Sequence, residues 1–178
     1  MSEPTISLPG GDVPADGKFA APVLRNGEPF PNITVDLVGG GHILLPTDLA
    51  GSFGVVLFYR GSWCPYCKAQ LTAFSRAYDE LTALGLKIVA LSVDDEATSA
   101  TFATSLGARF PIGHSADVDR IAALTGAYTN DSPKYFQTTG FILDPDGAVI
   151  TAVYSSGAIG RLVPADVAGF VRYVLSTV

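Results

Sequence analysis

The sequence predicts an α/β domain, a mixed central sheet with helices on both faces, preceded by a β-hairpin extension. Three observations carry this. Two apolar, β-branched runs of strand length, Val55 to Tyr59 and Leu86 to Val93, are separated by a stretch of helical period, which reads as a right-handed parallel βαβ unit. Short apolar stretches flank turn residues once before that unit and once after it. The chain closes on a strongly amphipathic segment.

Residues 1–20 mix Gly, Pro, Ser and Asp without periodicity and read as a loose arm, leaving 21–178 as one domain. Ile33 and Val35 alternate with polar neighbours, Gly39-Gly40-Gly41 makes a turn, and His42 to Leu45 returns, which is a hairpin. No Lys-Ser/Thr and no helix follow the glycines, so they are a turn and not a phosphate cradle. Pro46 to Gly51 reads as one short helical turn. Leu71, Phe74, Tyr78, Leu81 and Leu84 share one face of a single helix that Gly85 ends. Asp94, Asp95 and Glu96 open the next helix as capping and dipole-complementing residues, Phe102 and Leu106 mark its inner face, and Gly107 ends it. Phe110-Pro111-Ile112 leads to His114, and a further helix carries Val118, Ile121, Ala122 and Leu124 to Gly126. Tyr128 to Gln137 is polar and predicts irregular chain. Phe141 to Leu143 and Val149 to Tyr154 form a hairpin across Asp144-Pro145-Asp146-Gly147. Val167, Phe170, Val171, Val174, Leu175 and Val178 make the face of the last helix, with Pro164 in its first turn.

At 178 residues, 48% hydrophobic, the chain can bury one substantial core. A formal charge of −6 argues against nucleic acid or an anionic membrane as partner. No apolar run approaches the ~20 residues that span a bilayer. Met1-Ser2-Glu3-Pro4 lacks the basic-then-apolar pattern of a signal peptide, which predicts a cytoplasmic protein.

In a reducing compartment the two cysteines, Cys64 and Cys67, are better suited to redox chemistry or metal binding than to a structural bridge. They follow a buried strand and open a helix, where unpaired N–H groups and the helix dipole favour a thiolate and can bring its pKa from about 8.5 toward about 7. Pro65 suits the first turn and stiffens the ring between the sulfurs. Arg60 and Lys68 are near enough in sequence to add positive charge, and Trp63 either shields the pair or simply packs. Zinc competes, but it takes four ligands in a structural site and only His42 and His114 remain as nitrogen donors. His114 as a general base has no spacing that ties it to the thiols. There is no Gly-x-Ser-x-Gly elbow to support a hydrolase.

Phe58-Tyr59-Arg60-Gly61-Ser62-Trp63-Cys64-Pro65-Tyr66-Cys67 resembles the signature of peroxiredoxin-like proteins of the alkyl hydroperoxide reductase / thiol-specific antioxidant (redoxin) family. The resemblance runs from about residue 25 to 175, judged on element order. It implies a thioredoxin-like three-layer fold and thiol-dependent peroxide reduction, with no cofactor or metal. Aligned on the family's Pro-x-x-x-Thr/Ser-x-x-Cys motif, Cys67 takes the peroxidatic place, Cys64 replaces the Thr/Ser, and Arg60 or Gly61 stands near the proline. The family's arginine before the late strand is replaced by Thr138, and Thr139 stands where thioredoxins carry a cis-proline. Arg161 is a candidate to supply the missing charge.

The resemblance thus assigns Cys64, Cys67 and Arg60 to catalysis and Trp63, Pro65, Tyr66 and Thr139 to substrate contact. It implies an external thioredoxin- or glutathione-like thiol reductant and is compatible with a homodimer. Three functions stay open. One is peroxide reduction through a Cys64/Cys67 cycle. The second is thioredoxin-like exchange with protein or small-molecule disulfides, Cys64 attacking. The third is a non-catalytic partner- or zinc-binding module.

Overall fold

A computed structural model describes residues 23–178, so the arm expected over 1–20 lies outside the described residues. A seven-stranded sheet runs in the order β2-β1-β5-β4-β3-β8-β9. Its strands are β1 (Ile33–Leu37), β2 (His42–Leu45), β3 (Phe53–Phe58), β4 (Leu86–Leu91), β5 (Ile112–His114), β8 (Thr139–Leu143) and β9 (Val149–Tyr154). The β3–β4 and β4–β5 pairs are parallel, and the β1–β2, β1–β5, β3–β8 and β8–β9 pairs are antiparallel. The sheet is therefore mixed, and the early hairpin forms its β1–β2 edge.

Alternation along the central strands makes two cores. Val55 and Leu57 of β3 and Tyr59 just beyond it, with Ile88 and Ala90 of β4, face α1 (Pro65–Arg76), α2 (Tyr78–Ala83), α3 (Glu96–Leu106) and α5 (Pro164–Ser176). Val56 and Phe58, with Val89 and Leu91, face α4 (Val118–Thr125), the β1–β2 hairpin and Phe136. Burial on both sides is why these strands are continuously apolar.

The structure departs from the sequence reading in three places. The single helix expected up to Gly85 is two, α1 and α2, meeting at Ala77, whose φ/ψ of −87°/3° leaves the helical region. The buried residues Leu71, Phe74 and Leu81 still point to one core, so a face persists through the break. The stretch expected to be irregular forms a small hairpin, β6 (Thr129–Asp131) with β7 (Lys134–Phe136). Its only deep anchor is Phe136, stacked on Phe58 at 4.8 Å, so alternation is too short to read locally. On α5, Val167 and Val171 are buried while Leu175, like Val178 beyond the helix, is exposed, so the last turn runs past the sheet it packs on.

Candidate active site

The thiols sit where β3 hands over to α1. Cys64 is the N-cap of α1, with extended backbone, and its sulfur accepts the Cys67 N–H at 3.3 Å. Pro65 follows at the first helical position, where it gives up no bond. Both sulfur-bearing side chains are 0% exposed and remain free thiols.

Two guanidinium groups converge on them. Nη1 of Arg60 lies 3.9 Å from the Cys64 sulfur, and the Arg60 backbone N–H donates to the Cys67 sulfur at 3.4 Å. Nη2 of Arg161 lies 3.6 Å from the Cys67 sulfur, although 94 residues separate the two in sequence. Arg60 is held by its Nε donating to Gln137 Oε1 (3.0 Å) and its Nη2 donating to the Tyr135 hydroxyl (3.2 Å). Its guanidinium also rests on the Trp63 ring, 4.9 Å from the centroid. Arg161 donates to Thr138 Oγ1 (2.7 Å), to Gln70 Oε1 (2.8 Å) and to the Ala158 carbonyl. Gln70, one turn beyond Cys67, is buried and also donates to the Leu162 carbonyl.

The two thiols are tuned in opposite directions. Burial pushes the Cys64 thiol up, but hydrogen bonds from the Cys67 thiol and backbone N–H, then from Arg60, with the charge of Arg161, outweigh it and leave Cys64 below the ordinary value. Burial and the hydrogen bond it shares with Cys64 push Cys67 up, only partly offset by the Arg60 N–H and by Arg161. Of the two, Cys64 is thus the more easily ionised and Cys67 the less. Beneath them the Tyr59 phenol is pushed up to about 12, chiefly by burial, and stays protonated.

The sequence-predicted residues divide. Cys64, Cys67 and Arg60 come together, and Arg161 joins them. Trp63 is 54% exposed and packs on Arg60 and edge-on against Tyr135 at 5.0 Å. Tyr66 is equally exposed, and Pro65 beside it is exposed too. Thr139 is buried with its hydroxyl donating to the Gln137 carbonyl, and it pairs with Phe58 in the sheet. Thr138 spends its hydroxyl on Arg161. Lys68 is exposed and lines an open groove of about 500 Å³ with Ser62, Thr98 and Thr101. His114 meets Ser115 (2.9 Å). Among the described residues no three of His, Cys, Asp and Glu gather as a metal site.

Four residues had no signal in the sequence. Tyr135 and Gln137 lay in the stretch taken as irregular, and Gln70 looked like an ordinary helix residue. Asp94, expected to serve its helix, turns its carboxylate to the thiol loop and accepts the Ser62 N–H at 2.7 Å, leaving Asp95 to cap α3 by accepting from Thr98.

The chain is similar to known proteins along most of its length. A putative peroxiredoxin of Mycobacterium tuberculosis is 29% identical over 145 residues, covering 78% of this chain and 90% of that protein. The thiol-disulfide oxidoreductase ResA of Bacillus thuringiensis is 27% identical over 153 residues, covering 85% and 79%. Among solved structures, Mycobacterium tuberculosis AhpC superposes with a TM-score of 0.74 at 20% identity, over 88% of this chain and 96% of that one. The fold is thus the thioredoxin-like one of the peroxiredoxins. Arg161 falls outside the region that the AhpC/TSA family profile matches, residues 26–152. That region spans well over half the sequence and includes both thiols and Arg60, and the chain accordingly belongs to the AhpC/TSA family.

Proposed function

We propose that the protein is a thiol peroxidase working through a Cys64/Cys67 disulfide cycle, with Cys64 as the attacking thiolate. The observation that carries this is the Cys64 sulfur at the α1 N-cap, accepting the Cys67 N–H with the Arg60 guanidinium beside it. The Cys64 thiolate attacks one peroxide oxygen, the O–O bond breaks, and Cys64 becomes a sulfenic acid while the departing alkoxide or hydroxide takes a proton. Arg60 is placed to stabilise that departing charge. Cys67 then attacks the Cys64 sulfur, the disulfide closes, and the hydroxyl leaves as water. Arg161 stabilises Cys67 as it ionises for this step. The short spacing makes resolution intramolecular. An external thioredoxin- or glutathione-like thiol, available in a reducing cytoplasm, restores the pair. Family membership supports peroxide as the oxidant.

Alignment on the family motif favours Cys67 as the attacking sulfur, whereas the cap geometry favours Cys64. Reduced wild type, Cys64→Ser and Cys67→Ser, mixed with hydrogen peroxide and followed by mass, distinguish them. Cys64→Ser should lose rapid peroxide consumption, and Cys67→Ser should perform one turnover and stop at a sulfenic acid on Cys64. The reverse pattern would make Cys67 the nucleophile.

The same cap supports a second reading, disulfide exchange begun by Cys64, and the similarity to ResA adds to it. That reading takes over if all three proteins react with peroxide no faster than free thiol while wild type reduces a disulfide substrate.

A further inference from the structure

We propose that the disulfide form of this site is a receptor for a small anion, held between Arg60 and Arg161, and that anion binding is linked to the redox state. This rests on the thiol–disulfide reading above. Among the described residues, four ion pairs join arginine or lysine to carboxylates, and neither Arg60 nor Arg161 takes part in any of them. Both are partly buried, and both are fixed by neutral partners: Gln137 and Tyr135 for Arg60, Thr138 and Gln70 for Arg161. The groups they face that can carry negative charge are the sulfurs of Cys64 and Cys67, 3.9 Å from Arg60 and 3.6 Å from Arg161, and in the cycle proposed above Cys64 is the thiolate. Oxidation forms the S–S bond, releases two electrons and one proton from the thiolate–thiol pair, and removes that charge. Two guanidinium groups then share a space whose sulfurs are closed to solvent, where like charges repel strongly and an anion is bound more firmly than in water.

An anion that prefers the oxidised form must stabilise it against reduction by the same factor. It must also give way as the thiolate returns. The thiolate of the incoming reductant is itself such an anion, so the field that holds a free ion also draws the reductant to the disulfide.

The test equilibrates the protein in a fixed dithiothreitol redox buffer at constant pH and ionic strength, with sulfate replacing a bulky organic sulfonate, and reads the oxidised fraction by thiol trapping and mass. The ratio of oxidised to reduced protein should rise at least about fivefold, the lower end of ordinary site-to-site coupling. Most of that rise should vanish in Arg60→Gln and in Arg161→Gln. No rise in wild type, or a rise of equal size in both variants, overturns the proposal and leaves ionic screening or an adventitious ion only. A pair that never forms a disulfide removes the redox reading and this inference together, whereas a disulfide indifferent to sulfate removes the inference alone.

Discussion

At the residue scale, Cys64 and Cys67 are the same side chain in adjacent turns, yet one is pulled down and the other pushed up. Burial raises both, but at Cys64 the hydrogen bonds from the Cys67 thiol and N–H outweigh it, whereas at Cys67 burial and the bond shared with Cys64 outweigh the Arg60 N–H that its sulfur accepts. Alkylation of Cys64 by iodoacetamide should therefore have its inflection below the ordinary thiol value of about 8.5, and Cys67 above it. Cys67→Ala, which removes the thiol donor, should move the Cys64 inflection upward, and Cys67→Ser, which keeps an O–H, should move it less. An unchanged inflection in both would mean that the Cys67 thiol does not hold the charge.

Asp94 acts at one remove, through the Ser62 N–H that it holds beside the thiol loop. Leaving a partly buried N–H without its acceptor costs about 1–3 kcal/mol, and the loop has other conformations in which water supplies the bond. Asp94→Ala should thus slow Cys64 alkylation and raise its inflection, whereas Asp94→Asn, which keeps an acceptor oxygen, should preserve both. An asparagine variant as impaired as the alanine one would show that Asp94 does not work through this hydrogen bond.

At the scale of elements, the β6–β7 hairpin brings Tyr135 and, just beyond it, Gln137 to Arg60. Tyr135→Phe should keep the ring under the guanidinium, and Tyr135→Ala should lose ring and hydroxyl together. The expected order of peroxide reactivity is wild type, then phenylalanine, then alanine, with the hairpin's Phe136–Phe58 anchor and the melting temperature little changed. A larger loss of stability than of activity in Tyr135→Ala would make the residue a packing element instead. Gly61 shows how closely the thiol loop is built, since a Cβ there would come within 2.3 Å of the Trp63 Nε1. Far from the thiols, Leu81 of α2 is fully buried. Leu81→Ala should cost about 2–5 kcal/mol in denaturant unfolding and leave the Cys64 inflection in place.

At the scale of the whole molecule, the thiol pair couples redox state to stability through pH. A thiol whose folded pKa is lowered adds stability that is complete above its unfolded pKa and lost as pH falls through the folded one. Cys64 is such a group, so the reduced protein should gain stability as pH rises toward about 8.5. Cys67 has the opposite sign: above about 8.5 the unfolded thiol has lost its proton while the folded one keeps it, so stability falls again. The reduced-minus-oxidised difference in unfolding free energy should therefore peak near the ordinary thiol pKa, because other titrating groups largely cancel in the subtraction. A difference that is flat with pH would contradict the opposed tuning of the two thiols.

Much of this protein was legible without its structure. Strand run, turn residues, Cys-Pro-Tyr-Cys and helix follow one another within the chain, and the periods of 2 and 3.6 with local turn chemistry are enough to place the thiols at a strand-to-helix corner. The βαβ unit, both hairpins of the main sheet and the terminal helix follow from the same local rules. What the tertiary structure alone decided lies at long separation. The guanidinium beside Cys67 comes from Arg161, in the loop after β9, because the β8–β9 register and the packing of Leu162 against Gly140 bring that loop back over α1. Asp94, Tyr135 and Gln137 likewise arrive from elements distant in sequence, and Gln70, only one turn beyond Cys67, takes its part through long-range contacts with Arg161 and Leu162. No spacing encodes such meetings, since each depends on how separate elements, correct one by one, are stacked against a common sheet.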